Sequence, residues 1–76
     1  MIGLTDKQAR VLRCIATFMN EHDCSPTIDE IRAQMGFRSK GQVAGYLDRL
    51  EERGFIRRDF YRPRSIDLTE KAWGRL

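Results

Sequence analysis

The chain is short of the residues that catalysis and metal binding draw on. It has two cysteines, Cys14 and Cys24, and one histidine, His22. A structural zinc site usually takes four ligands, so no metal is expected. No nucleophile stands beside a base in a recognisable spacing, and no Gly-rich loop is placed to cradle phosphate. With 76 residues, the chain has little room to enclose a pocket. An enzyme is therefore not expected, nor is a cofactor or a small-molecule ligand. Long apolar runs are missing as well. Nothing approaches the ~20 residues that span a bilayer, and no signal-peptide core follows Met1. The expected location is inside the cell, away from membranes. There the two thiols are expected to stay free, Cys14 among the apolar residues of a helix and Cys24 in a loop.

What is present suits one small folded domain, residues 1–76. Hydrophobic residues make up 41% and charged residues 33%. The net charge of +3 says little by itself, but its distribution says more. Residues 1–31 carry three basic against five acidic side chains, and residues 65–76 balance. Residues 32–64 carry nine basic against four acidic side chains, a net of +5. A one-sided basic patch attracts polyanions.

Three segments open with the same local signature. Thr5-Asp6-Lys7-Gln8, Thr27-Ile28-Asp29-Glu30 and Ser39-Lys40-Gly41-Gln42 all have the Ser/Thr-x-x-Glu/Gln form of a capping box. Val11, Leu12, Ile15, Phe18 and Met19 recur at helical spacing, which predicts a first helix from about 6 to 21. Ile28, Ile31 and Met35 give a short second helix that Gly36 ends in a left-handed cap. Phe37 is expected to pack inward from the turn. Val43, Tyr46, Leu47 and Leu50 mark a third helix, about 39–53, stopped by Gly54. Then the period changes. Residues 55–60 and 65–68 read as strands joined by a Tyr61-Arg62-Pro63-Arg64 loop. Thr69 to Trp73 reads as a last helical turn, with Trp73 and Leu76 expected against the core. The predicted fold class is mainly α with a small β-hairpin, a winged helix-turn-helix. That shape fits a DNA major groove.

From Pro26-Thr27 through Glu30-Ile31 to Gly36-Phe37-Arg38-Ser39, the sequence resembles the amino-terminal DNA-binding domain of the LexA repressor family. The opening Leu4-Thr5-x-x-Gln8 matches too, and the likeness runs to about residue 68. The resemblance implies a sequence-specific regulator, in particular a repressor, of bacterial or phage origin, working in the cytoplasm at the nucleoid. It implies double-stranded DNA as partner, a third helix in the major groove, and a homodimer on a two-half-site operator. Its base-reading positions fall on Ser39, Gly41, Gln42, Ala44 and Gly45. The family typically has Asn where this chain has Gly41, and a pair of Glu where it has Ala44 and Gly45. A different operator is therefore implied. Nothing in these 76 residues matches the family's carboxy-terminal Ser-Lys dyad or cleavage site. Two readings are open, a DNA-binding domain cut from a longer protein and a stand-alone regulator without self-cleavage, and the second is the expectation.

Two glycines in an exposed helix cost roughly 1 kcal/mol each relative to Ala. Close approach of the backbone to the groove floor is one benefit that offsets this; packing against another helix, or no demand at all, are the alternatives. Ala44 has the size to touch a thymine methyl, and Gln42 the groups to pair with adenine. Gln42 is also needed for its capping box, and the two roles compete. Thr27, Arg38, Lys40, Arg57, Arg58, Tyr61, Arg62 and Arg64 are the candidates for phosphate contacts or the wing. Strand alternation turns one of Arg57 and Arg58 away. A protein-interaction module that does not read DNA is the competing reading, with Tyr46, Phe60, Tyr61 and Trp73 as aromatic anchors. Trp73 and Leu76 are also the expected dimer contact.

Overall fold

Local capping chemistry sets the helix starts. In the computed structural model, which describes residues 3–59 and 61–76, α1 spans Asp6–His22, α2 Ile28–Met35 and α3 Lys40–Glu52. The hairpin strands are β1, Ile56–Arg57, and β2, Asp67–Leu68, and a short α4 covers Glu70–Arg75. At α1, Thr5 Oγ1 accepts from the Gln8 amide at 3.1 Å and Gln8 Oε1 accepts from the Thr5 amide at 3.1 Å. At α2 the same exchange joins Thr27 and Glu30, at 3.1 and 2.8 Å. These are complete capping boxes.

The α3 start differs. Ser39 Oγ accepts from the Gln42 amide at 3.3 Å, but Gln42 Oε1 reaches past the cap to the Arg38 amide at 3.1 Å. Ser39 is more extended, with φ −140° against −66° and −81° at Thr5 and Thr27. That rotation brings the amide of the preceding residue to the glutamine. The α2 end matches expectation: Gly36 sits at φ 73° and donates to the carbonyls of Ala33 and Arg32. Glycine takes a left-handed cap of this kind most cheaply; α1 ends in the same conformation at Asp23, φ 56°.

One apolar cluster joins every element. Val11, Leu12 and Ile15 come from α1, Ile31 from α2, and Val43, Leu47 and Leu50 from α3. Phe55, Ile56, Ile66, Leu68 and Ala72 close it from the hairpin side. Phe37 and Tyr46 pack at its edge with rings stacked 5.3 Å apart, so the turn does tuck its aromatic ring inward. Cys14 and Cys24 are free thiols, half-buried and exposed respectively. Burial raises the Cys14 thiol pKa.

The wing is smaller than its sequence suggests. Ile56 pairs with Leu68 and Arg57 with Asp67, antiparallel, and pairing stops there. The loop beyond closes on side chains instead. Ser65 Oγ accepts from the Asp59 amide at 2.9 Å and donates to the Asp59 carbonyl at 2.8 Å. Phe60, expected as the end of a strand and as an aromatic anchor, lies outside the described residues.

The carboxy-terminal end needs correction. α4 turns Ala72 into the core, leaving Trp73 57% and Leu76 45% exposed. In a helix of six residues only one side can face inward, and the small residue took it. Its Thr69 cap also ties α4 to the wing base, donating from Oγ1 to the Gly54 and Phe55 carbonyls at 2.6 and 3.1 Å.

Candidate nucleic-acid interface

The apolar stripe of α3 fixes what its other side shows to solvent. With Val43, Leu47 and Leu50 buried, Gly41, Gln42, Gly45, Asp48 and Arg49 face out and Ala44 is half-buried at the edge. A Cβ placed on Gly45 would meet nothing within 4 Å, and one on Gly41 only the Ser39 hydroxyl at 3.8 Å. Among the described residues, neither glycine therefore packs against another helix. The outer face of α3 is low and open, and a backbone there can approach a flat partner closely.

Ser39, Gly41, Gln42, Ala44 and Gly45 come together on and before this face. Gln42 is only partly available. Its Oε1 is held by the Arg38 amide, while its amide NH2 is free to donate. Bidentate pairing with adenine needs acceptor and donor together, so it competes with the Arg38 contact for Oε1. In the free protein Gln42 Oε1 is engaged by the Arg38 amide, and not by the Ser39 amide of a closed capping box.

Cations border the face on two sides. Lys40, Tyr61 and Arg62 line a cleft of about 390 Å³ between the wing loop and the starts of α2 and α3. Tyr61 is 94% exposed. Its amide donates to the Asp59 carboxylate at 2.9 Å and the Arg62 amide to the Asp59 carbonyl at 3.1 Å, which leaves both side chains projecting. Arg38 and Gln42 border a second depression, about 370 Å³, together with Lys7 and Arg10 of α1. Among the described residues, no carboxylate lies within 4.0 Å of Lys7, Arg10, Arg38, Lys40 or Arg62. Lys7 and Arg10 escaped the sequence reading because they sit in a segment of net negative charge. A helical-wheel comparison with the turn offers the only signal for them: positions 7 and 10 lie one turn apart, on one side of α1.

The wing cations divide. Carboxylates of the same chain already engage Arg58 and Arg64. Arg58 follows the strand alternation inward: its guanidinium pairs with Asp48, and its Nε donates to Glu51 Oε1 at 3.0 Å, leaving the side chain 5% exposed. Arg64 turns back to the first turn of α2. Its Nη1 meets Glu30 Oε1 at 2.9 Å and the Ser25 carbonyl at 3.0 Å, and its Nη2 meets Glu30 Oε2 at 3.1 Å. The pair holds the Glu30 carboxyl below, and the Arg64 guanidinium above, their ordinary ranges. Arg57 stays outside, 75% exposed and 3.9 Å from the Asp67 carboxylate. Thr27 spends its amide and its acceptor on the α2 cap, so its hydroxyl proton is what remains for a phosphate. Beside it, Arg32 draws the Asp29 carboxyl below its usual range through a 2.8 Å hydrogen bond.

Among the described residues, no group of three or more His, Cys, Asp and Glu is arranged to hold a metal ion. No helix in them is long and apolar enough to cross a membrane.

Comparison with known proteins fits this geometry. A family model described as the LexA DNA binding domain matches residues 1–65. The LexA repressor of Pelotomaculum thermopropionicum is 39% identical over 71 residues, covering 93% of this chain and 35% of that protein. The LexA repressor of Oenococcus oeni is 42% identical over 66 residues, covering 87% of this chain and 31% of that protein. The chain thus spans about a third of the length of these curated relatives. A crystal structure of a hypothetical protein aligns with a TM-score of 0.76 at 21% identity, over 92% of this chain and 22% of that one. That likeness speaks for the winged-helix fold alone.

Proposed function

This chain belongs to the LexA DNA-binding domain family, and from that premise we propose that it is a sequence-specific, double-stranded DNA-binding transcriptional repressor of the cytoplasm. One observation carries the reading. The outward side of α3 is nearly free of side chains at Gly41, Ala44 and Gly45, has open space before both glycines, and is bordered by unpaired cations. α3 enters the major groove. Gly41 and Gly45 let its backbone approach the base edges, and Ala44 meets a thymine methyl. Ser39 and the free amide of Gln42 donate at the α3 amino terminus.

Arg38, Lys7 and Arg10 hold phosphates on one side, and Lys40 holds one on the wing side. Arg62, Tyr61 and Arg57 hold the backbone or minor groove from the wing, with the Thr27 hydroxyl at the start of α2. Phosphate contacts supply affinity and base contacts supply selectivity. One such module buries only roughly 600–1,000 Å² on DNA, so tight binding takes a second copy on a neighbouring half-site. The activity is binding and exclusion of other proteins from a promoter, with no chemical step.

The test is selection of duplexes from a random pool. The expected result is one enriched motif with two-fold symmetry, different from the operators of relatives that carry a Glu pair in α3. A pool that stays random favours the protein-interaction reading and defeats this one.

A further inference from the structure

We propose that Glu30 is the positioning residue of the wing: its carboxylate grips Arg64 with both oxygens and thereby aims Arg62 and Tyr61 at the duplex. The inference rests on the DNA-binding reading above and deepens it. The observations lie 34 residues apart in the chain. Glu30 Oε1 accepts from the Thr27 amide at 2.8 Å and from Arg64 Nη1 at 2.9 Å, while Oε2 takes Arg64 Nη2 at 3.1 Å. One carboxylate therefore caps the entry of the helix-turn-helix and fastens the wing loop to it. The Ser25 carbonyl adds a third hold on the same guanidinium, at 3.0 Å. Arg64 itself sits at φ 55°. A non-glycine residue keeps that left-handed conformation when its surroundings over-determine it, and these contacts are such surroundings. The two-residue strands are too short to aim the loop alone. Arg62 and Tyr61 stand two and three positions before the grip. The Asp59 hydrogen bonds set their local turn, and the grip holds that turn against the start of α2.

Glutamine separates the two jobs of Glu30. It serves a capping box as well as glutamate does. Against Arg64 Nη2 it presents an NH2 donor to a donor and it brings no charge, so only the Oε1 contact with Nη1 is left of the grip. Glu30→Gln thus keeps the cap and loosens the wing.

The experiment is a double-mutant cycle on duplex affinity at several salt concentrations, using Glu30→Gln, Arg62→Ala and the combination. In the parent protein, Arg62→Ala is expected to weaken binding about tenfold and to lower the salt slope by about 1. In the Glu30→Gln background the same change is expected to cost less than about threefold and leave the slope unmoved, because Arg62 no longer points at DNA. A role of Glu30 in stability alone gives additive effects, with the full slope change in both backgrounds, and overturns the proposal. Backbone 15N relaxation of the amides of Tyr61, Arg62, Arg64 and Ser65 without DNA gives a second reading. Raised mobility in Glu30→Gln supports the proposal, and unchanged mobility overturns it. Failure of the parent protein to bind any duplex overturns the DNA-binding reading and takes this proposal with it; binding with additive variants overturns this proposal alone.

Discussion

The chain has two basic regions, and they use their charge in opposite ways. In the wing, Arg58 and Arg64 are turned inward onto Asp48, Glu51 and Glu30, so half the positive charge there is spent on holding the loop in place. Around the turn and the start of α1, Lys7, Arg10 and Arg38 share a depression and meet no carboxylate within 4.0 Å. The region with the denser run of arginines is therefore the more neutralised one. Counting cations along a sequence measures the charge of a segment; only the fold says which cations remain free to meet a polyanion.

Changes at the reading face have the largest expected effect, and they show what both basic regions serve. Gly45→Ala adds a Cβ where nothing lies within 4 Å. Thermal unfolding should show stabilisation of about 1 kcal/mol, because alanine is the better helix former. Affinity for the selected operator should fall about tenfold, the scale of losing one base-pair contact. A variant more stable and equally tight in binding would remove the close-approach argument.

The two regions can then be set against each other directly. Lys7→Ala with Arg10→Ala removes two free cations, so the slope of log affinity against log salt should fall by about 2. The melting temperature should hold, since neither side chain has an ion-pair partner among the described residues. Arg58→Ala should behave in reverse. It leaves Asp48 and Glu51 without this partner, so unfolding should show a loss of about 1–3 kcal/mol, the cost of removing one side of a hydrogen-bonded pair. Its salt slope should change less than that of the α1 pair.

The smallest effect concerns pH. Glu30 is held below the ordinary glutamate value of 4.5 by Arg64. A carboxyl lowered on folding contributes stability that is fully present above its unfolded value and lost as pH falls through its folded one. The wing grip should therefore be insensitive to pH above the ordinary glutamate value of 4.5 and weaken only as the pH falls below it. Comparing acid-unfolding curves of the parent protein and Glu30→Gln checks this, with the curves converging at the acid end.

Much of the fold was legible because it is written locally. The Thr5 and Thr27 boxes need only residues three apart, and the core of α1 and α3 follows a 3.6-residue period that any sequence displays. The α3 box was read almost correctly. Its departure, Gln42 bonding to Arg38, depends on the backbone angle at Ser39, which no spacing rule encodes. Trp73 was misplaced because size suggested burial, whereas in α4 the side facing the core fell to Ala72. The open face of α3 was legible from its two glycines. The wing partners were not: Arg64 finds Glu30 across 34 residues, and Arg58 finds Asp48 across 10. Such pairs arise from how elements dock, and sequence distance hides them.

Amide chemical-shift mapping of the protein against duplex DNA at low salt tests the central claim most directly. The expected result is that Ser39, Gly41, Ala44 and Gly45 shift most, with Lys7, Arg10 and Arg62 on the border and Trp73 and Leu76 still. Shifts confined to α4, or to the groove between α1 and α2, with the α3 face unmoved, would contradict it.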